Sequence, residues 1–205
     1  MTTIESVTLD VPDATAAEAF YAAAFGLDGQ VRVRAAEPPT TGFRGYTLSL
    51  IVSQPSTVDS LVETALAAGA TTLKPATKSF WGYGGAVQAP DGAIWTIATS
   101  SKKDSGPATR QIDSVVLLLG VEDVKASKRF YSDHGLSVAK SFGGKYVEFE
   151  APASAVGLSL YGRRAAAKNA GVSADGTGSH RIAINSDAEP FVDPDGFVWE
   201  SASAG

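Results

Sequence analysis

The chain has 205 residues, two histidines and no cysteine, so thiolate nucleophiles, disulfides and sulfur-ligated metals are outside its chemistry. His134 stands before Gly135, the pattern of a helix C-terminus, where an imidazole caps the last carbonyls and a cation suits the dipole. His180 opens an apolar run, and Glu200 follows the turn Asp193-Pro194-Asp195-Gly196. A histidine and a carboxylate are half of an ordinary divalent-metal site, and two protein ligands rarely hold a metal against water. A metal at His180 and Glu200 therefore requires ligands from a second subunit. The other reading makes His180 a strand-start residue donating a ring hydrogen, and Glu200 a solvent-facing or arginine-paired side chain. No serine has a nucleophile-elbow context, and neither histidine is placed for a Ser-His-Asp triad. Gly82, Gly84 and Gly85 fit neither the dinucleotide nor the P-loop spacing. Arg163, Arg164 and Lys168 cluster after a strand and read as a solvated face able to meet an anion.

The aromatic residues are the other candidates. Tyr46, Phe80, Trp81, Tyr83 and Trp95 concentrate in the first half with Phe43, and Tyr146 and Tyr161 in the second with Phe149. Such residues around a concavity with few polar groups bind a flat or apolar small molecule; their competing use is to fill a sheet core.

These side chains sit on a duplicated framework. Ile4-Glu5-Ser6-Val7 recurs as Ile112-Asp113-Ser114-Val115, Phe20-Tyr21 as Phe130-Tyr131, Gly26-Leu27 as Gly135-Leu136, and Pro90-Asp91-Gly92 with Trp95 as Pro194-Asp195-Gly196 with Trp199. The repeat divides the chain into a first unit over 1–100, a polar linker over 101–111 and a second unit over 112–205, shortened near 186–192. Each unit opens with an alternating strand, then a helix capped by Asp13 or Asp123 and closed by Gly26 or Gly135. Thr47 to Val52 reads as a strand, Ser56-Thr57-Val58-Asp59 as a capping box that opens a helix ended by Gly69, and Pro90-Asp91-Gly92 as a hairpin turn. In the second unit, Lys145 to Glu150 and Val156 to Tyr161 are strands, and about one helix and one strand are missing after Ile184.

Phe80-Trp81-Gly82-Tyr83-Gly84-Gly85 before Ala89-Pro90-Asp91-Gly92-Ala93-Ile94-Trp95, together with Asp193-Pro194-Asp195-Gly196-Phe197-Val198-Trp199-Glu200, resembles the vicinal oxygen chelate superfamily of glyoxalases, bleomycin-resistance proteins and extradiol dioxygenases. The resemblance implies an α+β fold of repeated βαβββ modules, with curved mixed sheets forming cup-like barrels and two modules partly truncated. The best-preserved modules are the central ones, Gly42 to Ser100 and Ile112 to Arg163. It also implies metal-ligand positions on the first strand, on a later strand, where the second module begins and after the Pro-Asp-Gly hairpin. In the first half these hold Ser6, no clear carboxylate, Tyr46 and Thr96; in the second, Ser114, Leu158 or Ser159, His180 and Glu200.

The expectation is a glyoxalase-like protein that binds a small, partly aromatic or apolar molecule without a metal, for sequestration, resistance or carriage. Its alternatives are a metal-dependent lyase, isomerase or dioxygenase using His180 and Glu200, and a non-catalytic scaffold. A net charge of −5 and a pI near 5.0 argue against a nucleic-acid partner. No basic-plus-apolar leader and no long apolar stretch is present, so no membrane partner and a cytoplasmic location are expected. The truncated modules leave sheet edges that the other half or a second copy should cover, so a homodimer is expected.

Overall fold

The computed structural model describes residues 2–27 and 29–202. Its elements are β1 (Ile4–Val11), α1 (Ala14–Ala24), β2 (Val31–Ala35), β3 (Thr40–Gly42), β4 (Tyr46–Ile51), α2 (Pro55–Ala67), β5 (Thr71–Ser79), β6 (Gly82–Gln88), β7 (Ile94–Thr99), β8 (Ser114–Val121), α3 (Val124–Asp133), β9 (Val138–Phe142), β10 (Tyr146–Phe149), β11 (Val156–Gly162), α4 (Arg163–Ala170), β12 (Gly176–Gly178), β13 (Ile182–Ser186), β14 (Phe191–Val192) and β15 (Val198–Ser201).

Local chemistry sets the helix ends. The Asp13 carboxylate accepts from the Ala16 N–H, and Asp123 accepts from Lys125 and Ala126, so orphan donors at the starts of α1 and α3 are satisfied. Gly26 and Gly135 follow with φ of 64° and 87°, which any side chain would make strained. The expected capping box does not form. Helix α2 begins at Pro55 with Gln54 as its N-cap residue, and Asp104 from the linker accepts from the Ser56 N–H at 2.7 Å. Proline is preorganised for the first helical position, which moves the start ahead of Ser56.

Gln54 is buried and fixes that linker. Its Oε1 accepts from the Ser105 and Gly106 N–H groups, and its Nε2 donates to the Gly106 and Pro107 carbonyls. Gln54→Ala should cost about 1 kcal/mol and open 101–111 to proteases. Limited proteolysis beside a urea midpoint measures both, and an unchanged cleavage rate would contradict the role.

Each sheet draws strands from both halves. The eight-stranded sheet runs β5-β6-β7-β4-β8-β11-β10-β9, with β4 and β8 antiparallel at its centre and Leu48 opposite Leu117. Strand β7 is parallel to β4 and β11 to β8, so β4-α2-β5-β6-β7 and β8-α3-β9-β10-β11 are two complete βαβββ modules joined edge to edge. The outer modules form the five-stranded sheet β14-β15-β13-β1-β2, where β1 and β13 are antiparallel. The first keeps its helix and two strands; the last keeps three strands and, among the described residues, no helix. Among the described residues, β2 and β14 are the edge strands of this sheet.

One apolar core lies between the sheets and helices, taking Leu48, Leu50 and Leu117 from one sheet and Val7, Leu9 and Ile184 from the other. The repeat builds a tyrosine–tryptophan contact twice, each tied to a carboxylate at a Pro-Asp-Gly turn, Asp91 within the turn in one half and Asp193 just before it in the other. Tyr21 donates to Asp91 Oδ2 at 2.6 Å and packs on Trp95, with ring centroids 5.4 Å apart. Tyr131 donates to Asp193 Oδ2 and packs on Trp199 at 5.5 Å. Each latch ties the third turn of a module's helix to the Pro-Asp-Gly hairpin of a different module, so the repeated Tyr and Trp hold neighbours together.

Candidate functional site

Period-two alternation sends one set of side chains from the eight-stranded sheet into the core and the other into a concave cup. The cup is an open cavity of ≈ 1130 Å³. Its floor carries Ser49, Thr96, Ser114 and Ser159, and its walls carry Trp81, Tyr146 and Tyr161. Lys74, Glu148 and Glu150 are its charged residues.

Hydrogen bonds hold these groups in place. Ser49 Oγ and Thr96 Oγ1 are 2.6 Å apart, Tyr146 Oη is 3.2 Å from Ser159 Oγ, and the same phenol donates to Glu148 Oε2 at 3.2 Å. Tyr83 donates to Asp59 Oδ1 at 2.7 Å, and that bond, with some burial, pushes its pKa up to about 12. Burial raises the Tyr146 pKa as well. Both phenols therefore stay protonated near neutrality; Tyr146 serves the cup as a donor and stacking surface, not a base, while the Tyr83 hydroxyl is turned to α2 on the other face of the sheet.

Helix α4 closes one end of the cup. Ala166, Ala167 and Ala170 pack on Phe43, Ile94 and Leu118, with Tyr146 and Tyr161 alongside. The helix crosses from wall to wall: a Cβ on Gly120 would stand 3.1 Å from Arg163 Cα, and one on Gly171 would stand 3.2 Å from the Leu73 carbonyl of β5. Arg163 anchors its start by donating to the Ala174 and Phe43 carbonyls, whereas Arg164 and Lys168 face solvent. The basic cluster is thus the outer face of a helix, and its small inner residues let it lie inside the sheet's curve.

The structure redistributes the aromatic candidates. Trp81, Tyr146 and Tyr161 line the cup, whereas Tyr83, on the Val87 face of β6, turns to α2 on the opposite side of the sheet. Tyr46 and Trp95 point to the opposite face and are 2% and 0% exposed, so both are core residues. Phe80 stands at the β5–β6 hairpin tip, 80% exposed, with Lys102 Nζ 5.5 Å from its ring centre.

His180 and Glu200 do not share a ligand set. His180 stacks on Phe197, its Nδ1 faces the Arg44 carbonyl at 2.6 Å and its Nε2 faces the Asp195 carbonyl at 3.0 Å, which leaves no ring lone pair directed at an open site. Glu200 lies on β15 beside Asn185 and accepts from Arg34. His134 is the C-cap residue of α3, its Nδ1 2.8 Å from the Phe130 carbonyl.

Cross-pairing of modules also regroups the positions implied for metal ligands. The eight-stranded cup receives Thr96, Ser114 and Ser159 together, with Ser49; the five-stranded sheet receives Ser6 and Glu200. Hydroxyls at the cup floor do not fit a resident divalent metal, which wants imidazole or carboxylate donors. Among the described residues, no three His, Asp or Glu side chains are grouped to hold one. Ser49 and Ser159 lay outside the reach of sequence reasoning as cup residues except through β-strand alternation, which marks them as the polar partners of Leu48, Leu50, Leu158 and Leu160.

No protein-family model and no curated protein matches the chain. Solved structures do. Glyoxalase I from Zea mays is similar with a TM-score of 0.64 and 16% identity, over 97% of this chain and 91% of that one. A putative dioxygenase from Bacillus subtilis is similar with a TM-score of 0.54 and 13% identity, over 89% of this chain and 69% of that one. At these identities the likeness is one of fold.

Proposed function

We propose that this chain, whose fold is that of the vicinal oxygen chelate proteins, binds a small, partly aromatic or apolar molecule in the eight-stranded cup without a metal. The observation that carries the reading is the lining: three aromatic side chains, Trp81, Tyr146 and Tyr161, stand over a hydroxyl floor in a cavity of ≈ 1130 Å³. The volume suits a drug-sized molecule, the rings supply contact area, and the hydroxyls and carboxylates orient its polar atoms. The lining has no imidazole and no thiol, and its serine and threonine hydroxyls have no imidazole base beside them, which favours sequestration, resistance or carriage over turnover. The protein works in the cytoplasm in this reading, as a homodimer, and no helix among the described residues is long and apolar enough to cross a membrane.

Titration with anilinonaphthalene sulfonate, a planar apolar probe, tests the cup. Val116 lines it from β8 and is only partly buried, so Val116→Trp fills the space without disturbing the core. The native protein should bind the probe and the variant should bind it at least tenfold more weakly, with little change in melting temperature. Equal affinity in the two proteins would place the probe outside the cup and sink the reading.

A further inference from the structure

The face of the five-stranded sheet opposite Val7 and Leu9 brings together two carboxylates whose strands are not neighbours. Asp10 is on β1 and Glu200 on β15, with β13 between them. Arg34, which sits beside Asp10 in the register of β2 and β1, reaches both. Its Nε donates to Asp10 Oδ1 at 2.8 Å, and its Nη1 donates to the two Glu200 oxygens at 3.1 and 3.3 Å.

We propose that the Arg34 guanidinium is a built-in cation standing where a divalent metal would otherwise join Asp10 and Glu200, so that a side chain clasps the strands of this face together. Oxygen dominates the face: Asn185 Oδ1 also lies there, accepting from Ser6 Oγ at 3.1 Å and Thr8 Oγ1 at 2.8 Å. Hard divalent ions take carboxylate and amide oxygens of this kind. A guanidinium takes them too, with five donors in a fixed plane and a charge that no physiological pH removes. The two are mutually exclusive occupants, and the sequence has chosen the second. The clasp also has structural work, because the outer modules lack the strands that would continue this sheet. Its arginine runs from one edge strand across β1 toward β15, doing with one side chain part of what those strands would do. The inference is independent of any ligand in the eight-stranded cup.

Arg32 lies on the same face of β2, so it must be removed together with Arg34. Thermal melting of the full chain is compared in EDTA and in millimolar manganese or calcium chloride. The native protein should melt at the same temperature in all three. Arg32→Gln with Arg34→Met should melt lower in EDTA and recover several degrees in the metal, and adding Glu200→Gln should abolish the recovery. A native protein stabilised by metal through Glu200, or a double variant indifferent to metal, would overturn the proposal. If the double variant does not fold, Asp10→Asn and Glu200→Gln with both arginines in place carry the test. Each should lower the melting temperature by about 2–4 °C, with combined losses less than additive. No change in either single variant would also overturn it.

Discussion

Trp95→Ala is expected to lose about 3–5 kcal/mol of stability, while Trp81→Ala keeps the native melting temperature and loses probe binding tenfold or more. Trp95 is fully buried, with Tyr21 and Phe25 rings at 5.4 and 4.9 Å, so its removal leaves a large cavity where the sheet meets α1. Trp81 is 82% exposed at the β5–β6 tip and lines the cup, so it has little packing to lose in the free protein. Chemical denaturation and probe titration on the two variants separate the roles. A binding defect in a folded Trp95 variant, or a stability defect in the Trp81 variant, would reverse the assignment.

Tyr131→Phe is expected to cost about 1–3 kcal/mol at neutral pH, and less as the pH falls. Burial raises the Asp193 pKa in the folded state, and the hydrogen bond from Tyr131 acts against that rise. A carboxyl whose folded pKa lies above its unfolded value binds protons more tightly when folded. Stability therefore falls as pH rises from the unfolded pKa through the folded one. Removing the Tyr131 hydroxyl lifts the folded pKa further and widens that window, so the deficit of the variant grows with pH. Urea melts at pH 4 and pH 7 measure it. A deficit that is constant with pH would mean that Asp193 does not titrate in this range. Tyr21 and Asp91 form the counterpart in the other half, where the Ala93 N–H also donates to the carboxylate.

Much of this architecture was legible because the repeated residues are those with fixed local jobs. Asp13 and Asp123 cap, Gly26 and Gly135 adopt positive φ, and Pro-Asp-Gly turns the hairpins wherever the chain then goes. These signals identify modules and show that the second unit lacks a helix and a strand near 186–192. They do not say which module pairs with which. That choice is made by long-range packing of Val7, Leu9 and Ile184 in one sheet and Leu48 and Leu117 in the other, and all five are simply buried aliphatics in sequence. Helix α4 was illegible for a related reason. Its buried face is Ala166, Ala167 and Ala170, small residues with no apolar stripe to count, and they are small because the helix lies against a curved sheet at Gly120.

The site was half legible. Alternation places Tyr146 and Tyr161 on a cup face, but Tyr46, Tyr83 and Trp95 required knowing which face of β4, β6 and β7 meets the helices. A one-position difference in phase separates ligand wall from core. His180 and Glu200 had the residue types of a metal pair, yet their partners are backbone carbonyls and a guanidinium from other elements. Those partners lie 136, 15 and 166 positions away in the chain, beyond any spacing rule.

The central claim is binding in the eight-stranded cup without a metal. Its most direct test is the affinity for anilinonaphthalene sulfonate of protein stripped with EDTA, and of the same protein supplemented with manganese, nickel, zinc or iron(II), with bound metal quantified by elemental analysis. The account predicts one affinity throughout, lost in Val116→Trp, and substoichiometric metal after dialysis. One tightly held metal per chain, with binding that appears only when it is present, would contradict it.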